Sequence, residues 1–130
     1  MHERGSGIAH CPLSNAYFSS QPFRLREALD AGVKVGLGTD VAGGYSVDIM
    51  HAMRCAVSTS RIREGGRIEE ATAGNPTDPE PVSIDWKESL YLATRGGAIA
   101  LDLETGIFEN GRPFDAQCST LCFNLLDSQC

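Results

Sequence analysis

The 130-residue sequence predicts an α/β fold, and three observations carry that expectation. Val33, Val35 and Leu37 alternate with Lys34, Gly36 and Gly38, the period of a half-buried strand. A second short apolar run, Gly7-Ile8-Ala9-His10-Cys11, precedes it, and a segment of helical period follows each. Strand, helix, strand, helix with short connections implies adjacent parallel strands. The second strand also runs into Gly38-Thr39-Asp40, which sets a carboxylate just past a strand's carboxyl end. In parallel α/β folds that is where ligands and catalytic groups gather.

Taken in order, Met1-His2-Glu3-Arg4-Gly5 reads as the last turn of a helix with a glycine stop. After the strand at 7–11, Pro12 and the polar stretch Ser14 to Ser20 predict a long loop. Pro22 suits the first turn of a helix through Phe23 to Leu29, with Leu25, Ala28 and Leu29 on one face. Gly32 stops it, and the strand Val33–Leu37 follows at once. Ser46 is a candidate N-cap for a helix from about Val47 to Ile62, with Ile49, Met53 and Val57 as its apolar stripe beside Met50 and Ala56. Asp48 in its first turn and Arg61 and Arg63 near its end suit the helix dipole.

Residues 64–81 are rich in Gly, Glu, Pro, Thr and Asn and predict a surface insertion, a candidate for disorder. Pro76, Pro79 and Pro81 exclude a continuous helix there. Ser83 or Asp85 caps a helix through Trp86, Leu90, Tyr91 and Leu92 to Thr94, with Trp86, Leu90 and Tyr91 read as helix core. A short helical turn at Ala98–Leu101 and a turn at Gly106–Gly111 come next. Phe114 to Gln117 begins a strand. The organisation is a main unit at 1–105, a strand return at 106–117 and a tail at 118–130.

A net charge of −6, with no basic cluster beyond the scattered Arg61, Arg63 and Arg67, argues against a nucleic-acid partner. No apolar run has the length of a membrane span and no basic-then-apolar leader opens the chain, so a soluble cytoplasmic protein is expected. Five cysteines, an odd number, make no tidy disulfide framework. Cys118, Cys122 and Cys130 lack a fourth ligand at zinc-site spacing.

Asp40 is the candidate for chemistry, since glycines around it let a metal or substrate approach the backbone. The alternative is an Asp that caps the next helix or folds its loop. His10 is a candidate for the pocket mouth or for organising the loop, whereas His2 and His51 read as solvated surface residues. Ser14, Ser46 and Ser58 lack the nucleophile-elbow pattern, and Val41 stands where a dinucleotide fingerprint wants its third glycine.

His10-Cys11-Pro12-Leu13-Ser14-Asn15 and Gly38-Thr39-Asp40 together resemble strands seven and eight of the amidohydrolase superfamily. More narrowly, Gly36-Leu37-Gly38-Thr39-Asp40-Val41-Ala42-Gly43-Gly44-Tyr45-Ser46 is similar to the guanine deaminase branch. Leu92-Ala93-Thr94-Arg95-Gly96-Gly97-Ala98, Gly106-Ile107-Phe108-Glu109-Asn110-Gly111 and Phe114-Asp115-Ala116 continue the likeness. It runs from Met1 to about Gln117, and the tail beyond matches nothing in the branch.

The resemblance implies the last two strand–helix units of a metal-dependent (β/α)₈ TIM barrel, then the start of a small β-sandwich strand. It implies a homodimeric parent enzyme that hydrolyses guanine to xanthine and ammonia with one zinc ion. Asp40 matches the aspartate after the eighth strand, as metal ligand, proton shuttle and substrate contact, with His10 as a second candidate for substrate binding. The remaining zinc ligands and the glutamate acid/base would lie upstream of Met1. A full barrel needs roughly 200 residues or more, so the 130 residues are expected to be an incomplete and inactive fragment. The alternatives are a sister deaminase or chlorohydrolase acting on another aminated heterocycle, and a non-catalytic truncated isoform that binds the full-length subunit.

Overall fold

The structure, a computed structural model, describes residues 2–74, 80–114 and 116. A 3₁₀ turn at His2–Arg4 leads into strand β1 (Gly7–His10), helix α1 (Pro12–Phe18), helix α2 (Leu25–Asp30) and strand β2 (Lys34–Leu37). Helix α3 (Ile49–Gly74) follows, then α4 (Trp86–Tyr91), a π-helical turn (Leu92–Gly96) and α5 (Gly97–Ala100). The strands pair in parallel, with Gly7 opposite Lys34 and His10 opposite Leu37. The expected α/β pattern of tandem strand–helix units is therefore present.

The two faces of this sheet are covered differently. Val35 is buried with Leu25, Ala56, Ile84 and Leu92, and Ile8, Leu37, Phe23, Leu29 and Val57 close around them. The opposite face carries Gly36, whose missing side chain lets α5 lie directly on the strand: a Cβ there would come within 2.6 Å of the Gly97 Cα. A helix this close to a sheet needs small residues on both partners, and Gly36 and Gly97 supply them.

Several elements depart from the sequence expectation. The loop expected from Pro12 to Ser20 is helical as far as Phe18, because Pro12 occupies the first turn, where its missing N–H costs nothing. Helix α2 begins at Leu25 rather than Phe23, since the Phe23 N–H is drawn off to the Asn15 side-chain oxygen at 2.8 Å. Gly32 ends the segment in the left-handed region, at φ +69°. Ser46 does not cap α3. The Asp48 carboxylate accepts from the Met50 N–H at 2.8 Å, and the Ser46 hydroxyl accepts from the Asp48 N–H at 3.3 Å.

Helix α3 also runs past Ile62 to Gly74, through the first part of the stretch expected to be irregular. Gly65 and Gly66 weaken it locally, but tertiary contacts hold the turn. Arg63 pairs with Glu27. The Glu64 carboxylate accepts from the backbone N–H groups of Val82 and Ser83 at 2.8 and 2.9 Å, and Arg67 donates to the Glu80 carbonyl at 3.2 Å. One step earlier, the Ser60 hydroxyl accepts from the Ile84 N–H at 3.0 Å. The returning segment 80–84 is thereby bound along α3, burying Val82 and Ile84. Pro76 and Pro79 fall outside the described residues.

The inward face of α3 is narrower than its expected stripe: Ala52, Ala56 and Ser60 are buried, Ile49, Met53 and Val57 only half so, and Met50 is exposed. Small residues at four-residue spacing let α4 approach closely, and the fully buried Ser89 hydroxyl donates to the Met53 carbonyl at 3.0 Å. Asp85 caps α4 in a reciprocal box with Glu88, as one of the two expected caps. The inner face of α4 and the π turn is Ser89, Leu92 and Gly96, which turns Trp86, Leu90 and Tyr91 outward. The expectation that these three are core is corrected: each is more than 40% exposed. The π turn joins what was expected as two separate helical pieces. Asn110-Gly111 forms the expected turn. Phe114 is irregular and exposed, while residues 115 and 117 of the expected strand, and the cysteines of the tail, lie outside the described residues.

Candidate functional site

The carboxyl ends of β1 and β2 are tied together by the Gly38 N–H, which donates to the His10 carbonyl at 2.9 Å. Beyond that tie the two strands open into α1 and into the loop 38–48. Asp40 sits at the start of the loop in a left-handed backbone conformation, φ +50°. Its carbonyl accepts from the N–H groups of Gly43 and Gly44, at 2.9 and 2.6 Å. Ala42 is left-handed as well, φ +82°. Two non-glycine residues in that region within three positions mark a turn whose conformation is imposed by its contacts.

Asp40 is exposed, and its Oδ2 accepts from the hydroxyl of the buried Ser14 at 2.5 Å. Gly43 lies directly against it, and any Cβ at that position would overlap Oδ2. Cys11 adjoins the same carboxylate. Burial and then the Asp40 charge push its thiol pKa up, against a backbone N–H of Asp40 that favours the thiolate. The thiol therefore stays protonated near neutral pH, which makes it a poor nucleophile.

His10 shares the Ile8 face of β1 and is buried, with its ring 4.9 Å from that of Phe23. Burial lowers its pKa to about 4, so the imidazole is neutral. His51 is half-buried rather than solvated: its Nε2 is 3.4 Å from the Cys55 sulfur, and Tyr45 packs its ring 5.9 Å away. Asp40 is thus brought together with Ser14 and Cys11, while His51 belongs to a separate contact on α3. Ser14 was missed in the sequence because its segment reads as a loop and lacks the elbow of a nucleophile. Pro12 followed by six residues without glycine was the available signal for a helix that aims Ser14 at the neighbouring strand end.

A catalytic zinc takes about three protein ligands and keeps one position open. Among the described residues no group of three His, Cys, Asp or Glu could hold a metal ion. Asp40 fits as a single hard oxygen ligand, with one carboxylate oxygen bonded to Ser14 and the other without a hydrogen-bond partner among the described residues.

Residues 1–121 match the Amidohydrolase family. The chain is 46% identical over 117 residues to guanine deaminase of Homo sapiens, and 42% identical over 116 residues to a probable guanine deaminase of Schizosaccharomyces pombe. Each match covers 88% of this chain; the chain spans 23% of the human protein and 20% of the yeast one. Among solved structures it is similar to guanine deaminase of E. coli (TM-score 0.62, 31% identity, 78% of this chain and 20% of that one). It is also similar to guanine deaminase of C. acetobutylicum with guanine bound in the active site (TM-score 0.65, 26% identity, 84% of this chain and 23% of that one). The strand-end aspartate in a glycine loop and the match over residues 1–121 agree, and the chain belongs to the amidohydrolase family.

Proposed function

We propose that these residues are the last two strand–helix units of a zinc-dependent (β/α)₈ barrel that deaminates guanine to xanthine and ammonia. The observation that carries the reading is Asp40, a carboxylate at the end of β2 held by Ser14, in a chain 46% identical to a guanine deaminase. The guanine in the active site of the C. acetobutylicum structure supports a purine base as substrate.

In the reaction a C–O bond forms at C2 of the base from water, the C–N bond to the exocyclic amine breaks, and ammonia leaves. Bound zinc supplies the acidity that makes water a nucleophile at neutral pH. Asp40 provides one ligand oxygen. It also accepts the proton that the attacking water gives up and returns it to the departing nitrogen, the work of a positioned general base and acid. Gly43 leaves room for the carboxylate, and neutral His10 closes the strand end without adding charge. The other zinc ligands come from sequence outside these 130 residues, in a parent enzyme that is a homodimer in this reading.

In the complete enzyme, Asp40→Ala lowers xanthine formation by at least about 10²–10⁴-fold. A variant with near-normal turnover excludes the role. One observation favours a second reading: the chain is also 35% identical over 111 residues to a 5-methylthioadenosine/S-adenosylhomocysteine deaminase of Pelotomaculum thermopropionicum. Assay against guanine, adenosine derivatives and aminated triazines separates the two, and preferential turnover of anything but guanine rejects the first.

A further inference from the structure

We propose that Ser14 is the positioning residue of the Asp40 carboxylate, an inference that rests on the reading of Asp40 as the catalytic carboxylate. Ser14 lies within α1, beyond the end of β1, and reaches across to the end of β2. It is 9% exposed, and its hydroxyl donates to Asp40 Oδ2 at 2.5 Å. A buried hydroxyl bound to a carboxylate is charge-assisted, and so is stronger and more directional than a neutral hydrogen bond.

The rest of the loop leaves Asp40 one freedom, which Ser14 removes. The Asp40 backbone is fixed by the two N–H groups of Gly43 and Gly44 on its carbonyl. That fixes where the side chain starts but not how the carboxylate is turned. The bare Gly43 Cα admits Oδ2 on one side and the Ser14 hydroxyl holds it on the other. Oδ2 is thereby committed to the protein and Oδ1 is presented for a ligand or a proton. A carboxylate that is present but wrongly turned binds substrate as before and reacts slowly, so the effect belongs in kcat and not in KM.

The test compares Ser14→Ala with Ser14→Thr in the complete enzyme. Ser14→Ala removes only the hydroxyl and is expected to lower kcat by about ten- to a hundredfold, the worth of one hydrogen bond to a charged group, with KM within about twofold. Ser14→Thr keeps the hydroxyl and restores kcat to within a few-fold of the parent. Equal impairment of both variants reads as lost packing and overturns the proposal, as does an unchanged kcat in Ser14→Ala. A second readout needs neither substrate nor zinc: the ¹³Cγ resonance of Asp40 shifts in Ser14→Ala and returns in Ser14→Thr. If that resonance responds while the parent fails to turn over guanine, Ser14 positions Asp40 and the deaminase reading fails. A resonance indifferent to Ser14 overturns the positioning role whatever the enzyme does.

Discussion

His10 shows what burial does to a single residue. Its imidazole is packed against Phe23 at the end of β1, and its pKa falls to about 4 because the interior disfavours the charged form. The unfolded chain would protonate it near 6.5. A group whose folded pKa is depressed gives stability that is fully present above its unfolded pKa and is lost as pH falls through the window. The folded state should therefore weaken between about pH 6.5 and 4, by a total of roughly 3 kcal/mol. Circular dichroism melts across that range check it: the midpoint should drop with acid, and His10→Phe should flatten the dependence above pH 5. A wild-type midpoint indifferent to pH in that interval rejects this account. Glu64, held below the usual carboxylate range by the Ser83 backbone N–H, adds its own loss only at lower pH.

At the scale of the elements, the contact of α5 with β2 is the most sensitive. Gly36 and Gly97 meet backbone to backbone, so Gly36→Ala forces a methyl to within 2.6 Å of the Gly97 Cα. Neither backbone can yield cheaply, and overpacking of this kind costs about 1–3 kcal/mol. Thermal unfolding of Gly36→Ala should show a lower midpoint, with Gly111→Ala as a poor control because Gly111 has positive φ and Gly65→Ala as a good one. Gly65 lies in open space on α3, where alanine raises helix propensity, so that variant should be neutral or stabilising. Equal losses at positions 36 and 65 would remove the close-approach argument. Elements whose signal is local were legible in the sequence: the two strands, the Gly32 stop and the Asp85 cap each rest on residues within a few positions. The second half of α3 was not, because what offsets Gly65 and Gly66 there is a set of side chains reaching Glu27 and segment 80–84.

For the whole molecule, the described sheet has two strands, each with one open edge. Unpaired strand edges are templates for association. Backbone ordering costs on the order of 1–2 kcal/mol per residue, and the buried hydrophobic core of the described residues is small, with alanine at three of its eight positions. The isolated 130 residues should accordingly be marginally folded or prone to aggregate. They should bind zinc no more tightly than their thiols allow and should not deaminate guanine. Sedimentation, zinc analysis after Cys→Ser replacement and a xanthine assay test this together. Stoichiometric zinc that survives loss of the cysteines, or measurable xanthine, would show it to be wrong.

The sequence by itself determined the α/β pattern, the parallel pairing and the position of Asp40 past a strand's carboxyl end. These follow from periodicity and from turn residues, which act over a few positions. It also carried the likeness to amidohydrolases, in segments whose order is itself sequence. The tertiary structure decided which groups meet Asp40. Ser14 and Asp40 are 26 positions apart and touch because α1 and the loop after β2 leave adjacent parallel strands at the same end. It decided as well that Trp86, Leu90 and Tyr91 face outward, because the small Ser89 and not a large apolar residue is what fits against α3. Distance along the chain hides such pairings, since a hydroxyl becomes a partner of a carboxylate only when packing fixes both.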